Sequence, residues 1–422
     1  MLSTDYEILG LVKPSLLNFV VSPIVRLINS YIISSVCGND KLIIQNVVNQ
    51  IFNVTLGFFT FLPLVLSPFV SKFNCNNKYK KIIQIMNNSI LLYFIIGLLV
   101  STLLFSYSSY FLSYFISIES SFLFETIEFL RIKCLIIPIV LINLVITSVL
   151  KGIIELKNIM DINLKSQIIN MFLDYTFINL LGINGSAISY IISELYRFYK
   201  YIIILNKKNM IIPDNSNFCK NIMTILKDGF FVQIRSIIGN FNYYLLNKQV
   251  SNLDTNGYIS ASHIFCCRIL EILLISFTSI SSIVSIIIAK YNYDSVKVKF
   301  IIKRMIILSI IIAFIQFILV YMLSDLVYLL TDELIILKYI NNILPVIIIY
   351  SNISGISMIM DSILHGKNEF KIQTYLSLIS LIIVSFLIHY CKELIDIWYL
   401  ISFIFSIRVL INTFFLRKVI KE

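Results

Sequence analysis

Apolar runs long enough to cross a bilayer recur from one end of this chain to the other, and they leave few folds open to it. Met305–Met322 is the plainest; Leu91–Phe105, Ile136–Leu150 and Leu376–His389 reach the same length with their flanks. A helix of about 20 apolar residues spans the hydrocarbon core. Backbone groups facing lipid must be bonded within their own segment, so each run is expected to be helical. Twelve crossings are read, centred near residues 22, 57, 95, 139, 169, 193, 236, 273, 312, 348, 380 and 405. At 58% apolar and 14% charged residues the composition agrees, since a soluble domain is nearer a quarter charged. The first crossing starts close to Met1 without a small-residue cleavage site, so it reads as a helix and not as a removed signal. The expected fold class is an all-α polytopic membrane protein.

The chain also repeats itself. Leu150-Lys151-Gly152-Ile153-Ile154-Glu155-Leu156-Lys157 is echoed 214 positions later by Leu364-His365-Gly366-Lys367-Asn368-Glu369-Phe370-Lys371. Lys72-Phe73-Asn74 is echoed by Lys290-Tyr291-Asn292 at an offset of 218. Two echoes at nearly one offset predict two pseudo-symmetric six-helix bundles, and weak internal symmetry of this kind in a membrane protein points to a transporter. The longest mid-chain polar gap sets the expected boundaries: an amino-terminal bundle over 1–205, a cytoplasmic linker over 206–217 and a carboxy-terminal bundle over 218–422. The glycines at 152 and 366 are expected to permit tight turns between helices.

The net charge of +11 is distributed as a topology signal. With twelve crossings, 23 Lys and Arg fall on the side holding both chain ends, four on the other side and seven inside helices. That bias places both termini in the cytoplasm. The excess charge then attracts anionic lipid, not nucleic acid. The seven cysteines show no Cys-x-x-Cys spacing and read as buried or incidental thiols, not as metal ligands or disulfides. No Walker A loop, Gly-x-Gly-x-x-Gly or Gly-x-Ser-x-Gly occurs, and no nucleophile–base set supports an enzyme. No cofactor is expected; transport would be driven by a proton, sodium or substrate gradient, and the protein is expected to act as a monomer.

Several segments resemble the MATE (multidrug and toxic compound extrusion) family of the MOP flippase superfamily, especially its DinF-like branch. Pro14 and Pro23 match the first helix, with Leu27-Ile28-Asn29 where the family reads Leu-Val-Asp. Leu66-Ser67-Pro68-Phe69-Val70 is similar to its Thr-Pro-Leu-Val, and Glu128-Phe129-Leu130-Arg131-Ile132 resembles Glu-Tyr-Leu-Arg-Ile. Leu150-Lys151-Gly152 matches Leu-Arg-Gly, and Asn170-Met171-Phe172-Leu173-Asp174 matches Asn-x-x-Leu-Asp. Gly185-Ser186-Ala187-Ile188 is similar to Gly-Ala-Ala-Ile, and Ala261-Ser262-His263 to Ala-Ala-His. The resemblance implies an antiporter that exports a small organic solute by alternating access, with a cation site on acids of helices one and five.

Polar groups at membrane depth are expensive and default to functional, interior positions. Asn170 and Asp174, spaced i, i+4, share one helix face. Asn29 and Tyr190 are expected to reach the same layer. The structural alternative pairs Asp174 with Arg26 or Arg197. Asn29 stands where the resemblance implies an acid, and Arg26 lies one turn earlier, so a facing Arg26 would hold Asp174 ionised and put proton coupling in doubt. Glu194 with Arg197, and Arg268 with Glu271, can neutralise each other inside the bundle as i, i+3 pairs. Arg235 and Arg408 lack a partner at helical spacing; unpaired guanidinium suits a carboxylate or phosphate, which favours an organic anion. The alternative is that they pair with acids across the bundle. His263 is a candidate for the second-half cavity, and Asp361 is expected to cap or pair near Gly366. The rival functions are a lipid-linked oligosaccharide flippase of the same superfamily and a non-transporting membrane scaffold, in a plasma or organellar membrane.

Overall fold

The computed structural model describes residues 10–421 except 11, 13, 18, 22–24, 26, 27, 30, 31, 34, 38, 116–119, 211–217, 255, 256, 293 and 323–332. Among the described residues there is no strand, and those between 10 and 37 are helical. The helices that follow are α1 (Asn39–Gly57), α2 (Phe61–Cys75), α3 (Tyr79–Ser106), α4 (Ser108–Phe115), α5 (Ser120–Cys134), α6 (Ile137–Gly152), α7 (Leu156–Leu181) and α8 (Ile183–Lys207). After these come α9 (Phe218–Leu253), α10 (Tyr258–Lys290), α11 (Ser295–Met322), α12 (Leu334–Gly366), α13 (Phe370–Leu387) and α14 (Leu394–Lys421). The chain divides into two compact units, Met1–Gly229 and Phe230–Glu422.

Among the described residues six helices are individually long and apolar enough to cross a membrane: α3, α10, α11, α12, α13 and α14. Two bent pairs, α1 with α2 and α5 with α6, pass the test together. Helices α7, α8 and α9 are long enough but carry ionisable groups such as Asp174, Glu194, Arg197 and Arg235 inside their spans. Residues 10–37, the two bent pairs, α3, and α7 to α14 taken singly make the twelve segments expected from sequence, six to each unit.

The two bends have local causes and a common support. The crossing centred near residue 57 is not continuous: the helix stops at Gly57 and restarts at Phe61 with a 46° bend. Between α5 and α6 the bend is 44°, and Pro138, in the first turn of α6, has no N–H to continue the preceding helix. Each break frees carbonyls that lipid cannot bond. Helix α3 supplies the donors: the Tyr93 hydroxyl donates to the Phe59 carbonyl, and the Ser101 hydroxyl donates to the Cys134 carbonyl at 2.8 Å. Gly97, midway between them on the same face, lets α3 touch α6, since a Cβ there would lie 2.5 Å from Pro138 Cα. In the second unit the corresponding spans, α10 and α12, are single helices.

Both copies of the sequence repeat end a helix in one way. Glu155 N–H donates to the Leu150 carbonyl and Glu369 N–H to the Leu364 carbonyl, each at 2.9 Å. The residue before each glutamate is left-handed, Ile154 at φ 66° and Asn368 at φ 65°. This is the Schellman C-cap. Gly152 and Gly366 therefore do not supply the turn conformation expected of them. They remain helical and admit a neighbouring helix: a Cβ would meet Val70 and the Ser67 carbonyl at position 152, and Ile288 and the Ser285 carbonyl at position 366.

Candidate functional site

Each unit contains a buried polar site. In the first, α7 turns a polar stripe inward: Ser166, Asn170 and Asp174 are buried at i, i+4 spacing between Ile162 and Ile178, while Phe172 and Tyr175 are exposed. Its partner α8 buries Ser186, Ser189, Ser193 and Glu194. Small hydroxyl side chains let the two backbones approach; Ser166 donates to the Ser193 carbonyl at 2.9 Å.

Asp174 is 1% exposed. Its Oδ1 accepts from the Ser189 hydroxyl, and its Oδ2 is buried without a hydrogen-bond partner among the described residues. Asn29 Nδ2 donates to Asn170 Oδ1 at 3.0 Å, so Asn29 meets Asn170 directly, one turn before Asp174. Tyr190 packs edge-on against Phe52 with ring centroids 5.7 Å apart. Arg197 is committed to Glu194 at 2.8 Å, and Asn143 also donates to Glu194 at 2.9 Å. This leaves Asp174 without the Arg197 partner considered from sequence. Arg26 lies outside the described residues.

Lys133, at the end of α5, is a further buried basic group of this unit. It is 7% exposed, donates to Asn49 Oδ1 and interacts electrostatically with Asp174. Its Nζ lies 4.9, 5.8 and 5.2 Å from the ring centroids of Phe52, Phe129 and Tyr190, within cation–π range.

The second unit encloses a cavity of about 390 Å³ lined by residues of α9, α10, α12, α13 and α14. Arg235 and Arg408 both line it, with Asn240, Asn242, Tyr243, Tyr350, His263 and Trp398 among the other walls. The two arginines are not unpaired. Asp361, 6% exposed, accepts from Arg408 Nη2 at 2.7 Å and from Asn412 at 2.9 Å, and lies 3.8 Å from Arg235 Nη2. Arg235 also donates to Gln373 and meets His365 Nε2 at 3.0 Å. The pairing across helices is thus the arrangement present, with two guanidiniums sharing one carboxylate.

His263 sits elsewhere on the same cavity wall, 7% exposed and stacked against Trp398 at 5.6 Å. His263 Nδ1 and Trp398 Nε1 are both buried without partners among the described residues. Arg268 and Glu271 do pair at 3.0 Å, but at 69% and 66% side-chain exposure they lie on an open face of α10 and not inside a bundle.

The family model described as MatE matches residues 14–176 and 237–391, most of the chain. The chain belongs to the MATE family. Protein DETOXIFICATION 43 of Arabidopsis thaliana is 28% identical over 130 residues, 30% of this chain and 24% of that protein, so the match spans about a quarter of that relative's length. The Vibrio cholerae MATE transporter VcmN in its bent form has the same fold, with a TM-score of 0.90 at 15% identity over 99% of this chain and 97% of that one. A MOP superfamily transporter from Pyrococcus furiosus, described as having a binding pocket of reverse polarity suggesting a different function, gives 0.83 at 15% identity over 98% and 95%. The MATE architecture of twelve transmembrane helices in two six-helix bundles is therefore that of this chain, an integral multi-pass membrane protein of a transporter family.

Of the residues of this MATE protein singled out from sequence, Asn170, Asp174 and His263 are buried and Asn29, Tyr190 and Arg235 half-buried; Lys133, Ser189 and Trp398, which lie beside them, were not among those singled out. Lys133 follows the family-like segment 128–132 by one residue and lies i+4 from Phe129, a spacing that places it on the face of that ring.

Proposed function

We propose that this MATE-family protein is a secondary transporter that exports a small organic anion by alternating access, using the second-unit cavity as the solute site. The observation that carries this reading is the pair Arg235 and Arg408 on one cavity with Asp361 as their shared carboxylate. One positive charge is left over, and guanidinium grips a carboxylate in a bidentate way. A volume of about 390 Å³ suits a drug-sized molecule, which favours a small solute over a lipid-linked oligosaccharide. The buried carboxylate of Asp174 is the candidate group for ion coupling in the first unit. Both termini are assigned to the cytoplasm on the charge bias alone.

The test is flux in proteoliposomes with imposed proton or sodium gradients. Uptake of di- and tricarboxylates, reduced about tenfold or more by Arg235→Gln, is the expected result for loss of a charge-assisted contact. Uptake of organic cations without carboxylates would overturn the substrate class. No flux of either, unchanged by Asp174→Asn, would favour a scaffold.

A further inference from the structure

We propose that Gln373 is the positioning residue that makes the second-unit cavity selective for anions: it holds Arg235 with a neutral acceptor and so leaves that guanidinium uncompensated. The inference rests on the solute site assigned above and deepens it.

The two arginines beside Asp361 are not equivalent. Both carboxylate oxygens are taken by other groups: Oδ2 accepts from Arg408 at 2.7 Å and Oδ1 from Asn412 at 2.9 Å. Arg235 Nη2 stands 3.8 Å off, beyond hydrogen-bond reach. Its side chain is also the more open of the two, 30% exposed against 13% for Arg408. Arg235 is fixed instead through Nη1, which donates to Gln373 Oε1 and meets His365 Nε2 at 3.0 Å. A guanidinium has only donors, so both partners must accept, and His365 Nε2 therefore carries no proton. Gln373 is 1% exposed, and its amide is oriented from both ends because its Nε2 donates to the Asp361 carbonyl. Arg235 lines the cavity, whereas Gln373 and His365 stand behind it, outside the lining. The seam between α9 and α13 keeps the amide in place: Thr374 donates to the Phe231 carbonyl at 2.8 Å, and Asn242 to Ser380 at 3.2 Å.

A glutamate at position 373 would have the same length and shape. It would lack the donor for the Asp361 carbonyl, and it would cancel the charge of Arg235. The amide supplies the donor and adds no charge. Two guanidiniums against one carboxylate leave one positive charge over. That charge remains on the cavity wall only while its holder is neutral.

The experiment measures equilibrium binding of radioactive succinate and citrate to the purified full chain. The proteins compared are wild type, Arg235→Gln, Gln373→Glu, Gln373→Met and the double variant Gln373→Glu with Asp361→Asn. Gln373→Glu should weaken binding about tenfold or more, and Gln373→Met about threefold, since the second loosens Arg235 but keeps its charge. The double variant again has one positive charge in excess and should recover affinity to within about threefold of wild type. An amide with a merely structural role predicts the reverse, with the doubly changed protein binding worst. Wild-type affinity in Gln373→Glu would overturn the proposal. So would a double variant no better than Gln373→Glu, or weaker binding in Gln373→Met than in Gln373→Glu. If Gln373→Glu does not fold, Gln373→Met decides: weakened binding supports the positioning role and unchanged affinity refutes it. Failure of the underlying solute reading looks different, and it removes the proposal with it: wild type would bind neither probe, or Arg235→Gln would bind as wild type does.

Discussion

Gly152 and Val70 touch so closely that a Cβ on the glycine would lie 2.6 Å from the valine Cβ. The contact recurs in the second unit, where Gly366 would meet Ile288 at 2.7 Å. Val70 and Ile288 are themselves 218 positions apart, the offset of the shorter sequence echo. The duplication is thus preserved as an interhelical contact as well as a string of letters. Gly152→Ala and Gly366→Ala should each destabilise by about 1–3 kcal/mol, because a carbonyl and a branched side chain must move together. Thermal unfolding of the purified variants checks this; unchanged melting would show that the helices separate freely.

Ile154 should yield the opposite result. It is a β-branched residue in the left-handed region, whereas Asn77, Asn209 and Asn368 occupy the other positive-φ positions among the described non-glycine residues. Ile154→Asn is expected to stabilise by about 1 kcal/mol, read as a higher melting temperature. A drop would mean that the isoleucine side chain earns its strain through packing.

The donors beneath the two bends are separable. Tyr93→Phe and Ser101→Ala should each cost about 1–3 kcal/mol, leaving a carbonyl unbonded in an apolar setting. Because they support different breaks, the double variant should be close to additive.

Asp361 anchors both arginines of the second-unit cavity. Removing it as Asp361→Ala should destabilise by about 2–4 kcal/mol, since two partly buried cations lose their counter-charge. Asp361→Asn combined with Arg408→Gln should be milder than Asp361→Ala alone. Equal losses would indicate that the pair is not coupled.

Outside the membrane, Asp294 caps α11. It accepts the Lys297 N–H at 3.0 Å, and this bond, ahead of the nearby Lys297 ammonium, holds its carboxyl below the ordinary value of 3.8. A depressed folded value means that its contribution is complete above 3.8 and is lost as pH falls through the folded value. Asp294→Asn should therefore narrow the stability difference between neutral and acid conditions, measured by melting across that range.

Legibility divided along the range of the interactions. The apolar runs, the repeat and the i, i+4 pair Asn170 and Asp174 are local patterns, and their positions follow from spacing alone. Asp361 with Arg408 and Lys133 with Asn49 are contacts between helices remote in sequence, so periodicity could not pair them. Arg235 and Arg408 have no acid at helical spacing, so pairing across the bundle was open from sequence but its acid, Asp361, was not identifiable. Asn29 was legible as a member of the layer; its bond to Asn170 was not, because Asp174 was the more prominent neighbour. The glycines misled for a different reason: Gly152 and Gly366 mark close packing, while the turn is made two residues later.

The interrupted spans fall to one half of the duplication. In the first unit, α1–α2 and α5–α6 each join through a few non-helical residues, and a side chain of α3 holds one carbonyl at each joint, that of Phe59 and that of Cys134. In the second, α10 and α12 run through without a joint. A joint bends by rotating a handful of backbone torsions, whereas an unbroken helix must give up ladder bonds to bend as far. The two halves therefore share a repeat but not a stiffness profile: the half that carries Asp174 has two joints, while its counterpart has a single interior proline, Pro345 in α12.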